Sequence, residues 1–282
     1  MLRLSYILII AVCIISFQNC TPFEANTSLE VPSSTASSGD TPFGGTPSEG
    51  ASGESLESFF PSTNQSIANK RLFRLTQDQL NNTIAEMVPG SDALPKVEEH
   101  LAADPKQYNY LLAENLNLKN EQFTPYNNWV SSVVEAVNSK AIKIIDCRAE
   151  DLNCLRQKSK AFINHSFRGT ASTAVIEKYT NFFIGLVKDY GLAQGQADLL
   201  EVVLSSPYFI FRTETKTDST KKLSAHELIQ NLSYTLTDSP PTAAMLANAN
   251  SIVNNKQLWL ENIRSLLQSP GSKRKLKEFF LS

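Results

Sequence analysis

Two cysteines, Cys147 and Cys154, stand in the middle of the chain with six residues between them, and three histidines, His100, His165 and His226, are scattered around them. Metal binding would need short ligand spacings that these residues lack. His165 follows Cys154 by eleven positions, so on one helix the two are about 16 Å apart along the axis, farther than a single ion can bridge. The histidines therefore read as surface or packing residues. The cysteines read as a disulfide if the chain is exported, or else as two free thiols; closing so short a loop is worth roughly 2–2.5 kcal/mol by chain entropy. There is no Gly-x-Ser-x-Gly elbow, phosphate loop, dinucleotide fingerprint or Cys-x-x-Cys-His haem attachment in the 282 residues. Glu86, Glu114, Glu201 and Glu227 could pair only through an unknown tertiary arrangement, and a solvated face is the far commoner explanation for such residues. The sequence nominates no catalytic, cofactor-binding or metal-ligating residue.

A third cysteine has a different setting. Met1-Leu2-Arg3 is a short positive start, Leu4 to Phe17 is apolar except for Ser5 and Ser16, and Cys20 follows after Gln18 and Asn19. The apolar run, about 14 residues, is too short for a comfortable membrane span, which takes about 20, and matches a secretory signal. The arrangement resembles the signal of bacterial lipoproteins, in which such a cysteine takes a diacylglycerol and its freed amino group a further acyl chain of the palmitate type. Gln18 and Asn19 stand where that family usually has small residues; the alternative is an ordinary signal cleaved nearby. Thr21, rather than Asp, follows Cys20, and the resemblance then implies the outer membrane of a two-membrane bacterium. Several acyl chains, at about 0.8 kcal/mol per buried CH2, would make that attachment essentially permanent.

From Thr21 to Ser66, 27 of 46 residues are Ser, Thr, Pro or Gly, six are acidic and none is Lys or Arg, so this stretch cannot build a core. It reads as a disordered linker reaching about 35–40 Å root-mean-square, or as a glycosylated stalk. Residues 67–282 hold 25 basic and 22 acidic side chains, too even a balance to argue for nucleic acid.

The elements that would position these residues are helices. Thr76-Gln77-Asp78-Gln79 is a capping box opening a helix over about 77–88, and Ser224-Ala225-His226-Glu227 is a second, ahead of Leu228, Leu232 and Leu236. Thr124-Pro125 predicts another start, after which Tyr126, Trp129, Val130, Val133, Val134 and Val137 mark one buried face. Further helices are expected over about 151–167, from Ser172 to Gly191, over about 196–206 up to Pro207, after Ser239-Pro240-Pro241, and around Trp259 to Leu267. Trp129, Phe182-Phe183 and Phe209-Ile210-Phe211 suit a core, or alternatively the lining of a ligand groove. Lys273 to Ser282 starts an amphipathic basic helix without a stop signal, which suggests a fragment of a longer protein or a terminus docked by Phe279 and Phe280. No alternating strand pattern stands out. The expected fold is all-α: a multi-helix bundle body in two or three helical units (67–145, 146–215 and 216–282) behind a signal (1–19) and an acylated Cys20 with its linker (20–66).

Arg74-Leu75-Thr76 with Asn81-Asn82-Thr83 resembles the opening of planctomycete-type helical domains of unknown function, which occur consecutively in large exported proteins. The Cys147–Cys154 segment and Leu204-Ser205-Ser206-Pro207-Tyr208-Phe209-Ile210-Phe211-Arg212 resemble the next module, and Leu232-Ser233-Tyr234-Thr235-Leu236 a third. Asn231, Thr237 and Pro240-Pro241 depart from that third pattern. Relatives with a c-type cytochrome imply a redox or surface-polymer context, but without a haem motif here electron transfer does not carry over. On residues alone Arg212 has a structural reading, pairing with a carboxylate or a helix carboxyl end, and a functional one, binding an anion. The function expected is a lipid-anchored envelope protein whose body is an interaction or scaffold module for an envelope protein or surface polymer. The alternative is a subunit of an exported enzyme or redox complex completed by a missing C-terminal region; a weaker third reading, a carbohydrate or peptide binder, requires an exposed Trp129.

Overall fold

A computed structural model describes residues 71–90, 93–107, 110–111, 116, 118, 120–214 and 223–281. The signal, Cys20, the linker, Glu114 and Ser282 lie outside the described residues.

The body is all-α apart from two small sheets, with eleven α-helices among the described residues. Strand β1 (Arg71–Arg74) leads into α1 (Gln77–Met87), whose start is the expected capping box. The Thr76 hydroxyl accepts from Gln79 N–H at 3.1 Å, and the Gln79 side chain accepts from Thr76 N–H at 3.3 Å. A 3-10 turn (Val97–Glu99) and a short hairpin, β2 (Lys106–Gln107) with β3 (Tyr110–Leu111), cross to α2 (Asn120–Ser139). This helix begins five residues before the start that Thr124-Pro125 suggested, so Pro125 lies inside it. Proline there leaves the Glu121 carbonyl without its helical donor, which an exposed first turn tolerates because water can replace it. The predicted stripe is the buried face: Tyr126, Trp129, Val130, Val133 and Val137 all point inward.

Helices α3 (Leu152–Ser166), α4 (Thr173–Tyr190) and α5 (Leu192–Leu204) follow, capped by Asp151 and Ser172 at the first two starts. Gly191, at φ +85°, both ends α4 and begins α5. A side chain on Gly195 would come within 2.8 Å of Val187 Cγ2, so the α4–α5 crossing depends on that glycine. Helix α5 thus starts earlier than its sequence signals indicated. Pro207 opens a separate turn, α6 (Pro207–Ile210), which runs straight into β4 (Phe211–Glu214). Strand β4 pairs antiparallel with β1, with Arg71 opposite Glu214 and Phe73 opposite Arg212.

The chain continues through α7 (Ala225–Thr237), α8 (Ala243–Ala247), α9 (Ala249–Asn254), α10 (Lys256–Gln268) and α11 (Pro270–Leu281). The main core gathers residues from α1 to α7, including Leu80, Trp129, Leu155, Phe183, Leu200 and Tyr234. A smaller cluster of Ile229, Met245, Ala249 and Ile252 joins α7 to the short helices after it. Among the described residues no helix is long and apolar enough to cross a membrane.

Candidate functional site

Polar side chains collect where β1, α1, β4 and α7 meet. Leu75 N–H donates to Ile210 O at 2.9 Å, extending the strand pairing and seating the start of α1 against the α6 turn. The Thr83 and Tyr234 hydroxyls bond at 2.8 Å, while Asn82 Nδ2 donates to Asp238 O and Gln79 Nε2 to Asp238 Oδ1, each at 2.9 Å. Asp238 is the left-handed C-cap of α7, at φ +54°. Its Oδ1 also accepts from Lys275 Nζ at 2.8 Å, so one carboxylate ties together α1, α7 and α11.

Arg168 is the most enclosed charge of this junction. It is fully buried in the α3–α4 turn at φ +54°, and among the described residues its guanidinium meets no carboxylate. It donates instead to the carbonyls of Tyr208 (2.6 Å), Phe211 (2.8 Å), Phe209 (3.2 Å) and Ser166 (3.3 Å), and to Gln230 Oε1 (3.2 Å). Its carbon Cζ lies 5.8 Å from the Tyr234 ring centre. Planar donors aimed at three carbonyls of the α6–β4 corner and one at the end of α3 fix that corner, a task a flexible ammonium performs less well.

Arg74 is nearly as enclosed. Its Nη2 pairs with Asp104 Oδ1, its Nη1 donates to Leu75 O at 2.9 Å, and Asp104 Oδ2 accepts the Gln77 N–H at 2.7 Å. Arg212, by contrast, makes no ion pair among the described residues. Glu214 is already taken by Arg71, at 2.6 and 2.9 Å, and by Asn231 at 2.9 Å. Arg212 instead lies 5.5 Å from the centre of the Phe73 ring, which Arg71 approaches at 5.0 Å, and its buried Nε has no acceptor. Burial holds its pKa below the usual arginine value.

The remaining candidates are dispersed. The Cys147 and Cys154 sulfurs lie at disulfide-bonding distance, with Cα atoms 5.9 Å apart, beside Asp151, which caps α3. The loop before them is held by Gln196, whose Oε1 accepts from the N–H groups of Ile144 (2.7 Å) and Ile145 (2.8 Å). His100 Nε2 lies 3.2 Å from Ser132 Oγ. His165 has an unpartnered buried Nδ1, and burial lowers its pKa. His226 packs its ring on Gly169. Among the described residues no three His, Cys, Asp or Glu side chains converge as a metal would require.

Glu86 is exposed, and Glu227 is spent on the α7 capping box. Glu201 and Asp198 share one face of α5, half-buried, and burial raises the pKa of each. Trp129, Phe183 and Phe209 are fully buried, so they fill the core and do not line a groove; this removes the observation on which the carbohydrate or peptide reading depended. An open groove of about 370 Å³ lies between α8, α9 and α10, floored by Met245, Ile252, Leu258 and Leu266 and lined by no charged side chain.

Arg168, Asp104 and Asp238 went unnoticed in the sequence. Their partners are backbone groups or distant side chains. Segments far apart in the chain thus meet in one junction, where most polar groups bond one another while Arg74 Nε, Arg212 Nε and Asn231 Oδ1 are buried with no partner among the described residues. In comparisons with protein-family models, curated proteins and solved structures, nothing matched this chain.

Proposed function

We propose that this chain is a lipid-anchored protein of a bacterial cell envelope, held through Cys20 in the outer membrane, and that its helical body is an interaction or scaffold module. The observation that carries the module reading is the junction itself. Arg74, Arg168, Glu214 and Asp238 all have internal partners, as a brace requires and as a reacting centre, which must leave groups free for substrate, does not. The apolar run before Cys20 and the uncharged-to-acidic linker after it support the anchor. The proximity of Cys147 and Cys154 suits an oxidising compartment. Mass spectrometry of the native protein tests the anchor by looking for acyl chains on an N-terminal Cys20. A pull-down from the native envelope with the full-length gene product tests the module and should recover a specific partner. Turnover of a cell-wall polymer by the purified body, abolished by one polar substitution, would overturn the module reading.

A further inference from the structure

The inner face of α11 is set by three contacts. A side chain on Gly271 would come within 2.8 Å of Thr237 O, Ser272 is buried, and Lys275 reaches Tyr234 O (3.1 Å) and Asp238. With that roll fixed, the helical period turns Lys273, Leu276, Lys277 and Phe280 outward as one stripe. Lys273 and Lys277 are exposed, as are Leu276 (47%) and Phe280 (78%).

Helix α10 repeats the alternation. Lys256, Leu260, Arg264 and Leu267 follow one another at i, i+4, i+8 and i+11, all four are exposed, and no residue of this helix is fully buried. Charge is concentrated here too. Residues 256–281 carry six basic and two acidic side chains, net +4, whereas residues 67–255 carry 19 basic and 20 acidic ones. Large apolar groups flanked by cations on an exposed helix face match the interfacial region of an anionic bilayer, where the apolar groups enter the headgroup boundary and the cations remain among lipid charges.

We propose that the exposed stripes of α10 and α11 form a docking face for an anionic lipid surface, so that the body rests on the bilayer through these helices. The inference relies on the anchored reading only for bringing body and membrane together; docking itself is a property of the body.

The test uses the chain from position 20 onward carrying Cys20→Ser, so that no acyl chain contributes, mixed with vesicles of phosphatidylcholine alone or with about one-third phosphatidylglycerol. Binding is expected on the anionic vesicles only and should fall as salt rises from about 0.05 to about 0.5 M. Lys273→Gln with Lys277→Gln should weaken binding by about 25-fold, at about fivefold per cation near such a surface. Leu276→Ser with Phe280→Ser should weaken it about tenfold or more, with circular dichroism confirming that both variants stay folded.

Equal binding to neutral vesicles, no binding to either, or indifference to both pairs of substitutions would overturn the proposal. So would self-association of the chain, seen by sedimentation, that the Leu276→Ser and Phe280→Ser pair abolishes while vesicles remain unbound. A native protein lacking acyl chains on Cys20 would sink the anchor and leave the vesicle result standing.

Discussion

Thr83 and Tyr234, 151 positions apart in the chain, share a hydroxyl–hydroxyl bond of 2.8 Å in the core between α1 and α7. Thr83 also bonds Gln79 O at 2.5 Å, so one threonine links its own helix to another. Removing the phenol oxygen with Tyr234→Phe leaves ring packing intact and should cost about 1 kcal/mol. In a body of this size that lowers the thermal midpoint by about 2–4 °C. Thr83→Val should cost a similar amount, and calorimetry of the double variant should show a loss smaller than the sum of the two.

Gly169 has φ +69°, and a Cβ built on it would overlap the His226 ring. Gly169→Ala therefore combines about 1–2 kcal/mol of left-handed backbone strain with a steric clash, and should lower stability in urea denaturation by more than 2 kcal/mol in all. Adding His226→Ala removes the clash but not the strain. The double variant should regain only part of the loss.

Cys147 and Cys154 clip the loop ahead of α3. Non-reducing peptide mapping should recover the two as one linked peptide. Replacing both with Ser, or adding reductant, should cost roughly 2–2.5 kcal/mol by loop-closure entropy. The largest gain in hydrogen exchange should fall around Ile144 and Ile145, the residues whose N–H groups Gln196 holds.

Glu201 is half-buried beside Asp198, and burial first, then that neighbouring charge, raises its pKa in the folded state. Below the unfolded value both states carry the proton and stability is unaffected. As pH rises through the raised folded value, ionisation costs the folded state more than the unfolded one. Glu201→Gln should then be more stable than the parent at pH 7, by about 0.5 kcal/mol, with the gap closing near pH 4. Urea denaturation at the two pH values checks both the sign and the convergence.

Local signals were legible wherever a side chain acts on its own helix. Thr76 with Gln79 and Ser224 with Glu227 are capping boxes in the sequence and in the structure, and the Tyr126–Val137 stripe is buried as its spacing required. The all-α class followed from these. Strands β1 and β4 were not legible because four residues are too few for alternation to register, and Arg71-Leu72-Phe73-Arg74 pairs with a segment about 140 positions away. Arg168 escaped notice for a related reason. Its acceptors are carbonyl oxygens of Tyr208, Phe209 and Phe211, and a backbone acceptor leaves no trace in residue type. Arg212 makes no ion pair among the described residues, because Arg71, directly across from Glu214 in the register, takes that neighbouring carboxylate.

The β1–β4 pairing also sets the order in which the chain can mature. Synthesis delivers β1 first, and its hydrogen-bonding edge and the Leu75 N–H stay open until Ile210 to Glu214 have been made. The nascent body must therefore wait, with that edge open to stray strand partners, until roughly two-thirds of its length exists. A chain delivered only as far as α5 would have its first helices but no strand on which its first segment could settle.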